Sequence, residues 1–216
     1  MPNATLTALH NHNAGVSWKL TADGVFVDGS GIERTSGSPT TVTRVWEQYH
    51  DPINASAAQY EVYCELVIAV ICTESSGDPT SRRNEPGYVS DSTTPDRVSL
   101  GLMQTLISTA RDALGDPAID AQWLLQPENS IQAGTAYIRK QRSQTLLDPP
   151  KVACAYNAGG VHDNDGPTNR WKMRMYPIGT SAHCDRFVKW FNDVVAVLQT
   201  HPIRPARALA DFLTTL

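Results

Sequence analysis

A glutamate at the end of an apolar segment is the first residue whose position suggests chemistry. Residues 60–77, YEVYCELVIAVICTESSG, predict a helix because apolar side chains recur at spacings of three and four. Glu74 falls on the same face, near the helix C-terminus. Burial and the negative end of the helix dipole both disfavour a charged carboxylate, so we expect a raised pKa for Glu74. A glutamate that stays protonated near neutral pH can act as a general acid. The predicted apolar stripe consists of Tyr60, Tyr63, Val67, Val70 and Ile71.

The rest of the chain predicts further helices that would hold this glutamate. We expect a short helix over residues 42–50 that ends before Pro52, because proline disrupts a helix interior. Asn54 or Ser56 would then cap the next helix. Residues 78–99 contain three prolines and few apolar side chains, so they predict a long loop that forms a wall of a cleft. Other helices are predicted to begin at Ser108, Pro127, Lys151, Ser181 and Ala206.

The N-terminal region predicts a small β element. Apolar and polar residues alternate over residues 16–20, and Asp23-Gly24 is typical of a tight turn. We therefore expect a β-hairpin. Residues 29–41 are rich in Gly, Ser and Thr, which predicts a linker that separates the hairpin from the helices.

Composition limits the kinds of protein that this chain can be. It has 216 residues, 18 Lys and Arg against 22 Asp and Glu, and a net charge of -4, which does not favour nucleic-acid binding. The longest apolar run, residues 66–72, is far too short to span a membrane. We predict an N-terminal arm, hairpin and linker over residues 1–50 and a mainly α domain over residues 51–216. We expect a monomer.

No metal or cofactor is expected from the sequence. His10 and His12 have no further ligand nearby in the sequence. Residues 162–166, HDNDG, depart from the calcium-loop pattern, because the glycine comes too early and the final glutamate is missing. The four cysteines have no CxxC spacing, and the first three predict buried small side chains, with a disulfide to Cys184 left open. They are Cys64, Cys72, Cys154 and Cys184.

Three short segments stand out downstream of the apolar helix: ESSG at 74–77, GLMQ at 101–104 and AYNAG at 155–159. In this order, together with PENSIQAGTAYI at 127–138, they resemble the lytic transglycosylases of soluble-transglycosylase (SLT) type. That family belongs with the goose-type lysozymes in the lysozyme-like fold. The resemblance covers about residues 57–160 and implies a mainly α, lysozyme-like domain that acts on peptidoglycan glycan strands.

The resemblance also implies a role for each matching residue. Glu74 would be the sole catalytic acid and base, and Ser75 would help to place the substrate. The GLMQ turn would line the floor of the sugar cleft. Tyr156 would approach Glu74, Asn157 would hold the substrate, and Tyr137 would support the site from a neighbouring helix. The implicated residues are Glu74, Ser75, Gly101, Leu102, Met103, Gln104, Tyr137, Tyr156 and Asn157.

One carboxylate is sufficient for this reaction. The bond to be cleaved is the β-1,4 bond between N-acetylmuramic acid and N-acetylglucosamine, and its leaving oxygen needs a proton. If the 2-acetamido group stabilises the sugar cation, the same glutamate can deprotonate the C6 hydroxyl of that sugar. An attacking group in the same molecule has a high effective concentration, so the products would carry 1,6-anhydro ends.

Two rival interpretations stay open. A goose-type muramidase or a chitinase would hydrolyse the bond, and Asp96, beside Arg97, could serve as the auxiliary carboxylate that positions water. Against this, Leu106 stands where goose-type lysozymes have an aspartate. The second rival is a catalytically silent protein that only binds the cell wall.

The N-terminus predicts where the chain is made and how it reaches its substrate. It has neither the basic segment nor the apolar run of a signal peptide. We therefore expect synthesis in the cytoplasm and action on the cell wall after delivery by a phage or a secretion system. The candidate partners are a phage particle, secretion machinery and an immunity protein.

Overall fold

The protein is mainly helical, as the sequence predicts. The computed structural model describes residues 4–214. The helices are α1 (Ala4–Thr7), α2 (Thr40–Tyr60), α3 (Cys64–Glu74), α4 (Ile107–Leu114), α5 (Ala121–Leu124), α6 (Pro127–Lys140), α7 (Arg142–Thr145), α8 (Pro149–Ala158), α9 (Ala182–Thr200) and α10 (Leu209–Thr214). The strands are β1 (Trp18–Thr21), β2 (Gly24–Val27), β3 (Gly31–Ile32), β4 (Arg82–Asn84), β5 (Val98–Leu100) and β6 (Thr105–Leu106). Among the helices of this described part, none combines the length and apolarity needed to span a bilayer.

Helix α3 lies at the centre of the molecule and ends at Glu74, as predicted. Every residue from 64 to 73 is buried, and α3 packs mainly against α9 and α2. The predicted one-sided stripe is therefore wrong, because the helix is enclosed on all sides. The predicted start near Tyr60 is also wrong. Glu61 adopts a left-handed conformation with φ 54°, which ends α2 and separates it from α3.

Helix α2 runs through Pro52 for 21 residues, so the predicted break at this proline is wrong. The helix tolerates the lost hydrogen bond because it is held by buried side chains on both sides of Pro52, including Trp46 and Ile53. Asn54 and Ser56 lie within α2 and do not cap α3. The Asn54 side chain instead accepts a hydrogen bond from the Ala206 backbone at 2.8 Å.

The predicted N-terminal hairpin is confirmed and packs on a helix. Strands β1 and β2 pair antiparallel, the turn lies at Ala22-Asp23, and β3 adds a third strand. The buried side chain of Asn192 in α9 accepts from the Val25 backbone at 2.7 Å and donates to the Glu33 carbonyl at 2.7 Å. The prediction that residues 29–41 separate the hairpin from the helices is therefore wrong. The domain boundary at residue 50 stays a prediction.

A buried carboxylate joins the N-terminal arm to the helical body. Asp148, directly before α8, has a fully buried side chain. It accepts a hydrogen bond from Trp18 Nε1 at 2.9 Å, and its other oxygen lies 2.9 Å from His10 Nε2. His12 lies 2.7 Å from the exposed carboxylate of Asp163. Each of the two histidines thus faces one carboxylate.

The remaining predicted helices exist with shifted boundaries. Helix α4 begins at Ile107, one residue before Ser108, and α8 begins at Pro149. Helix α6 begins at Pro127 and Ser181 immediately precedes α9, both as predicted. The last helix begins at Leu209 and not at Ala206, and the predicted end of this helix at residues 215–216 lies outside the described residues. All four cysteines are buried and free.

The segment predicted as one long loop contains part of a second sheet. Strand β4 pairs antiparallel with β5, and β5 pairs antiparallel with β6. Residues 101–104, the GLMQ turn, connect β5 to β6. This sheet thus brings the turn to the C-terminal end of α3, where Ser75 contacts Leu102.

Candidate active site

Glu74 combines a sheltered carboxyl group with access to solvent. Its side chain is 20% exposed at the end of α3. Burial raises its pKa from 4.5 to about 7, although the positive charges of Arg186 and Arg83 act in the opposite direction. The carboxyl group can therefore hold a proton near neutral pH and can exchange it with a ligand.

Ser75 fastens the end of α3 to the GLMQ turn. Its hydroxyl donates a hydrogen bond to the Leu102 carbonyl at 2.7 Å and accepts one from the Gly77 backbone at 3.1 Å. Arg44 of α2 holds the same end from another side, since its guanidinium donates to the Ser76 carbonyl at 2.6 Å. The backbone around Glu74 is thus fixed by α2 and by the turn.

The GLMQ turn is a packed support below the surface. Leu102 and Met103 are fully buried, whereas Gln104 is partly exposed. The Met103 backbone donates to Ser130 Oγ at 3.1 Å, and Gln104 Nε2 donates to the Gly101 carbonyl at 2.9 Å. Met103 also packs directly on Gly134 of α6, where an added Cβ would lie 2.5 Å from its sulfur.

Tyr156 lies at the same site as Glu74. Its hydroxyl donates to the Met103 carbonyl at 2.9 Å and lies 3.0 Å from Thr105 Oγ1. Burial raises the pKa of Tyr156 far above its usual value, and the nearby charge of Glu74 raises it further. The Tyr137 ring packs edge-on against Tyr156 with centroids 5.3 Å apart. Tyr156 is therefore a neutral phenol in a fixed orientation.

Residues 51–174 of the chain match the model of the family described as Transglycosylase SLT domain. The chain belongs to this family. An X-ray structure of an inactive mutant of the lytic transglycosylase Slt from Pseudomonas aeruginosa is similar, with 18% sequence identity and a TM-score of 0.51. The similarity covers 74% of this chain and 26% of that one, and at this identity it shows the lysozyme-like fold alone. No curated protein matches the chain.

The sequence also implicated Asn157 and Asp96 of the SLT domain, and the structure shows which residues they contact. Asn157 Oδ1 accepts a hydrogen bond from the Tyr176 backbone at 2.6 Å, so Asn157 holds the loop that presents this exposed tyrosine. Asp96 is exposed and lies 3.2 Å from the guanidinium of Arg97. The structure thus brings Glu74 and Tyr156 together and places Asp96 in an exposed ion pair.

The sequence reasoning missed His183, which follows the residues that match the SLT family. Its Nε2 lies 3.6 Å from Glu74 Oε1, and its side chain is only 5% exposed. A signal was present, because His183 precedes Phe187 and Phe191 at intervals of four on the apolar face of α9. That spacing predicts that His183 is buried. The sequence does not show which part of α9 lies beside α3.

A pair of glycine substitutions tests how tightly the GLMQ turn is packed against its neighbours. Gly101 and Gly115 have similar left-handed backbones, with φ 73° and 68°, but an added Cβ at Gly101 would lie 2.4 Å from the Leu124 carbonyl. Gly115 has open space at this position. We expect Gly115→Ala to cost about 1 kcal/mol and Gly101→Ala about 2 kcal/mol more, because only the latter adds a steric clash. Urea unfolding of both variants checks this, and equal losses would contradict it.

Proposed function

We propose that this SLT domain is a lytic transglycosylase. It cleaves the β-1,4 bond between N-acetylmuramic acid and N-acetylglucosamine in peptidoglycan, and Glu74 is its sole acid and base. The observation that carries the proposal is the setting of Glu74, a partly exposed carboxyl group whose pKa is raised to about 7 by burial beside Tyr156. This pKa suits a group that must first give and then take a proton.

The reaction proceeds in two steps on the proposed substrate. Glu74 donates its proton to the glycosidic oxygen, and the bond from C1 of N-acetylmuramic acid to that oxygen breaks. The substrate's own 2-acetamido group stabilises the positive charge at C1. The Glu74 carboxylate then removes the proton of the C6 hydroxyl while the C6 oxygen bonds to C1. The glutamate ends protonated again, and the product carries a 1,6-anhydro ring.

The residues around Glu74 support this chemistry by position. Ser75 and the GLMQ turn fix the backbone that carries the carboxyl group, and Gln104 reaches the surface beside them. Tyr156 presents a neutral phenol close to the reacting group, supported by Tyr137. In this proposal Asn157 holds the substrate, and its side chain also accepts a hydrogen bond from the Tyr176 backbone. Holding the reacting groups in place lowers the entropic part of the barrier.

Contacts around the candidate carboxylates favour transglycosylation over hydrolysis. The charged groups that change the pKa of Glu74 are Arg186 and Arg83. Asp96, the candidate for positioning water in a muramidase or chitinase, is 58% exposed and paired with Arg97. Since hydrolysis needs a held water molecule, an intramolecular attack by the C6 hydroxyl suits this arrangement better.

Mass spectrometry of digested sacculi tests the proposal. We expect wild-type protein to release muropeptides with 1,6-anhydro ends, which are lighter by one water molecule than hydrolysis products. An Asp96→Asn variant should give the same products at a similar rate, because Asp96 has no part in the proposed reaction. Reducing ends as the main product would instead show a muramidase.

The pH dependence of cleavage is a second test. Glu74 must be protonated to start the reaction, and its pKa is about 7 because burial disfavours the charged form. We therefore expect the cleavage rate to fall as the pH rises through about 7, by about tenfold for each pH unit beyond it. The rate is measured on sacculi at constant ionic strength, with circular dichroism confirming the fold at each pH. A rate that stays constant to pH 9 would contradict this assignment of Glu74.

The proposed place of action follows from the substrate. Peptidoglycan lies outside the cytoplasm, so the protein must reach the cell wall to act. Delivery by a phage particle or by secretion machinery, and binding by an immunity protein, rest on the sequence alone and stay predictions.

A further inference from the structure

His183 is a buried titratable side chain beside Glu74 that the proposed reaction has not yet used. It lies in the first turn of α9, and its Nε2 is 3.6 Å from Glu74 Oε1. Hydrogen bonds of catalytic groups are often long in structures without substrate and shorten when it binds. A small movement of either side chain would bring the two atoms within hydrogen-bond distance.

The surroundings of His183 keep its ring neutral. Burial and the positive charge of Arg186 lower its pKa to about 4, and donation of a ring N–H to the Ala153 carbonyl acts in the opposite direction. At neutral pH the ring therefore carries one proton on one of its two nitrogens. A neutral ring can donate to Glu74 without an ion pair that would keep the glutamate permanently charged.

The position of Arg186 indicates which nitrogen carries that proton. Its Nη2 lies 3.5 Å from His183 Nδ1. A guanidinium group can only donate hydrogen bonds, so Nδ1 faces it as an acceptor. This contact favours a proton on Nε2, the nitrogen that faces Glu74, whereas the Ala153 carbonyl is a second acceptor for the single ring N–H.

We propose that His183 is a positioning residue for Glu74, whose Nε2–H stabilises the carboxylate that forms when Glu74 gives its proton to the leaving oxygen. The inference rests on the proposed function for its catalytic role, but the contact itself is a property of the free protein. The histidine orients Oε1 and supplies a neutral donor at the moment when negative charge develops. It neither accepts nor releases a proton during the reaction.

Charged or titratable groups on α9, β4 and α8 also act on Glu74. Arg186 approaches from α9 and Arg83 from β4, and both positive charges favour the carboxylate. Tyr156 of α8 is a neutral phenol at neutral pH. In the proposal His183 adds a neutral N–H donor to this set, so its removal should raise the pKa of Glu74 while both arginines stay in place.

The first experiment needs no variant. NMR of the wild-type protein, with nitrogen-labelled histidine, reports the protonated ring nitrogen of His183 at pH 7. We expect a proton on Nε2, and a proton on Nδ1 would overturn the proposal. Because this measurement needs no substrate, it gives a result even if the wild type fails to cleave sacculi and the proposed function is wrong.

The second experiment compares His183→Gln with His183→Leu. Glutamine keeps a neutral N–H donor at about the position of Nε2, whereas leucine keeps the volume and removes the donor. In His183→Leu we expect the pKa of Glu74, followed by carbon NMR of the free protein, to rise by about one unit. We expect kcat to fall about tenfold with KM unchanged, and the alkaline fall of the rate to move to higher pH.

His183→Gln should restore both the pKa of Glu74 and most of kcat. The proposal is overturned if leucine leaves the pKa of Glu74 at the wild-type value. It is also overturned if glutamine and leucine reduce kcat equally, since a role in packing alone would not distinguish a donor from an apolar side chain. Thermal unfolding of both variants shows whether they are folded at the assay temperature.

Discussion

Replacing Glu74 by glutamine is expected to abolish glycan cleavage and to stabilise the fold at alkaline pH. As the sole acid and base, Glu74 carries both proton transfers, so we expect the rate on sacculi to fall by at least about a thousandfold. Glutamine keeps the shape of the side chain but cannot donate an acidic proton. Digestion of sacculi followed by mass spectrometry measures the loss.

The stability gain follows from the raised pKa. Below pH 4.5 the carboxyl group is protonated in both the folded and the unfolded chain, so it does not change the free energy of unfolding. As the pH rises from 4.5 to about 7, the unfolded chain loses the proton first and the folded protein becomes less stable. Above pH 7 the cost reaches about 3 kcal/mol. Urea unfolding should therefore show a more stable Glu74→Gln variant at pH 8 and no difference at pH 4.

Glu65 offers a matched control on the same helix. It is buried in the first turn of α3, burial raises its pKa to about 7, and its carboxylate accepts a hydrogen bond from the Leu209 backbone at 2.9 Å. Glu65→Gln makes the same chemical change at the other end of α3 and should keep full activity. A Glu74→Gln variant that cleaves sacculi as fast as the wild type would rule out the proposed mechanism. An inactive wild type would favour a silent wall-binding protein.

Replacing Asp148 by alanine is expected to destabilise the fold by about 3 kcal/mol, the cost typical of breaking a buried charged contact. Asp148 is fully buried, and its two oxygens bind Trp18 of the hairpin and His10 of the N-terminal arm. Without the carboxylate the Trp18 N–H is left unpaired inside the protein. Urea unfolding at pH 6 measures the loss.

Asp163→Ala is the control for this prediction, since Asp163 also contacts a histidine of the arm but is 67% exposed. Its replacement should change the free energy of unfolding far less than that of Asp148, because water replaces an exposed contact. Equal losses in the two variants would contradict the assignment of Asp148 as the anchor of the arm.

The loss of unfolding free energy in Asp148→Ala should also depend on pH, because His10 titrates beside this carboxylate. Burial lowers the pKa of His10, but the hydrogen bond and the negative charge of Asp148 outweigh this and raise it above 6.5. The stabilisation by protonated His10 is therefore complete below pH 6.5 and is lost as the pH rises through the raised pKa. We expect Asp148→Ala to cost more at pH 6 than at pH 9. If the loss of stability in Asp148→Ala does not change with pH, the charge of His10 does not contribute to the stability of the fold.

Local signals in the sequence determined the helical class, several helix ends and the residues of the family motifs. Helix α3 ends at Glu74, and α4 ends before Gly115, which adopts the left-handed conformation that favours glycine. The start of α6 at Pro127 also follows from local preference, because proline is well suited to the first turn of a helix. These features depend on residues that are neighbours in the chain, so their pattern can be read directly.

Contacts between residues distant in the sequence were decided by the tertiary structure alone. Helix α2 continues through Pro52 because packing outweighs the local cost of proline, and the hairpin packs on α9 through Asn192. In the same way, His183 reaches Glu74 only because α9 lies beside α3. The raised pKa of Glu74 could be expected from an apolar helix, but its extent depends on how completely other elements remove water from the carboxyl group.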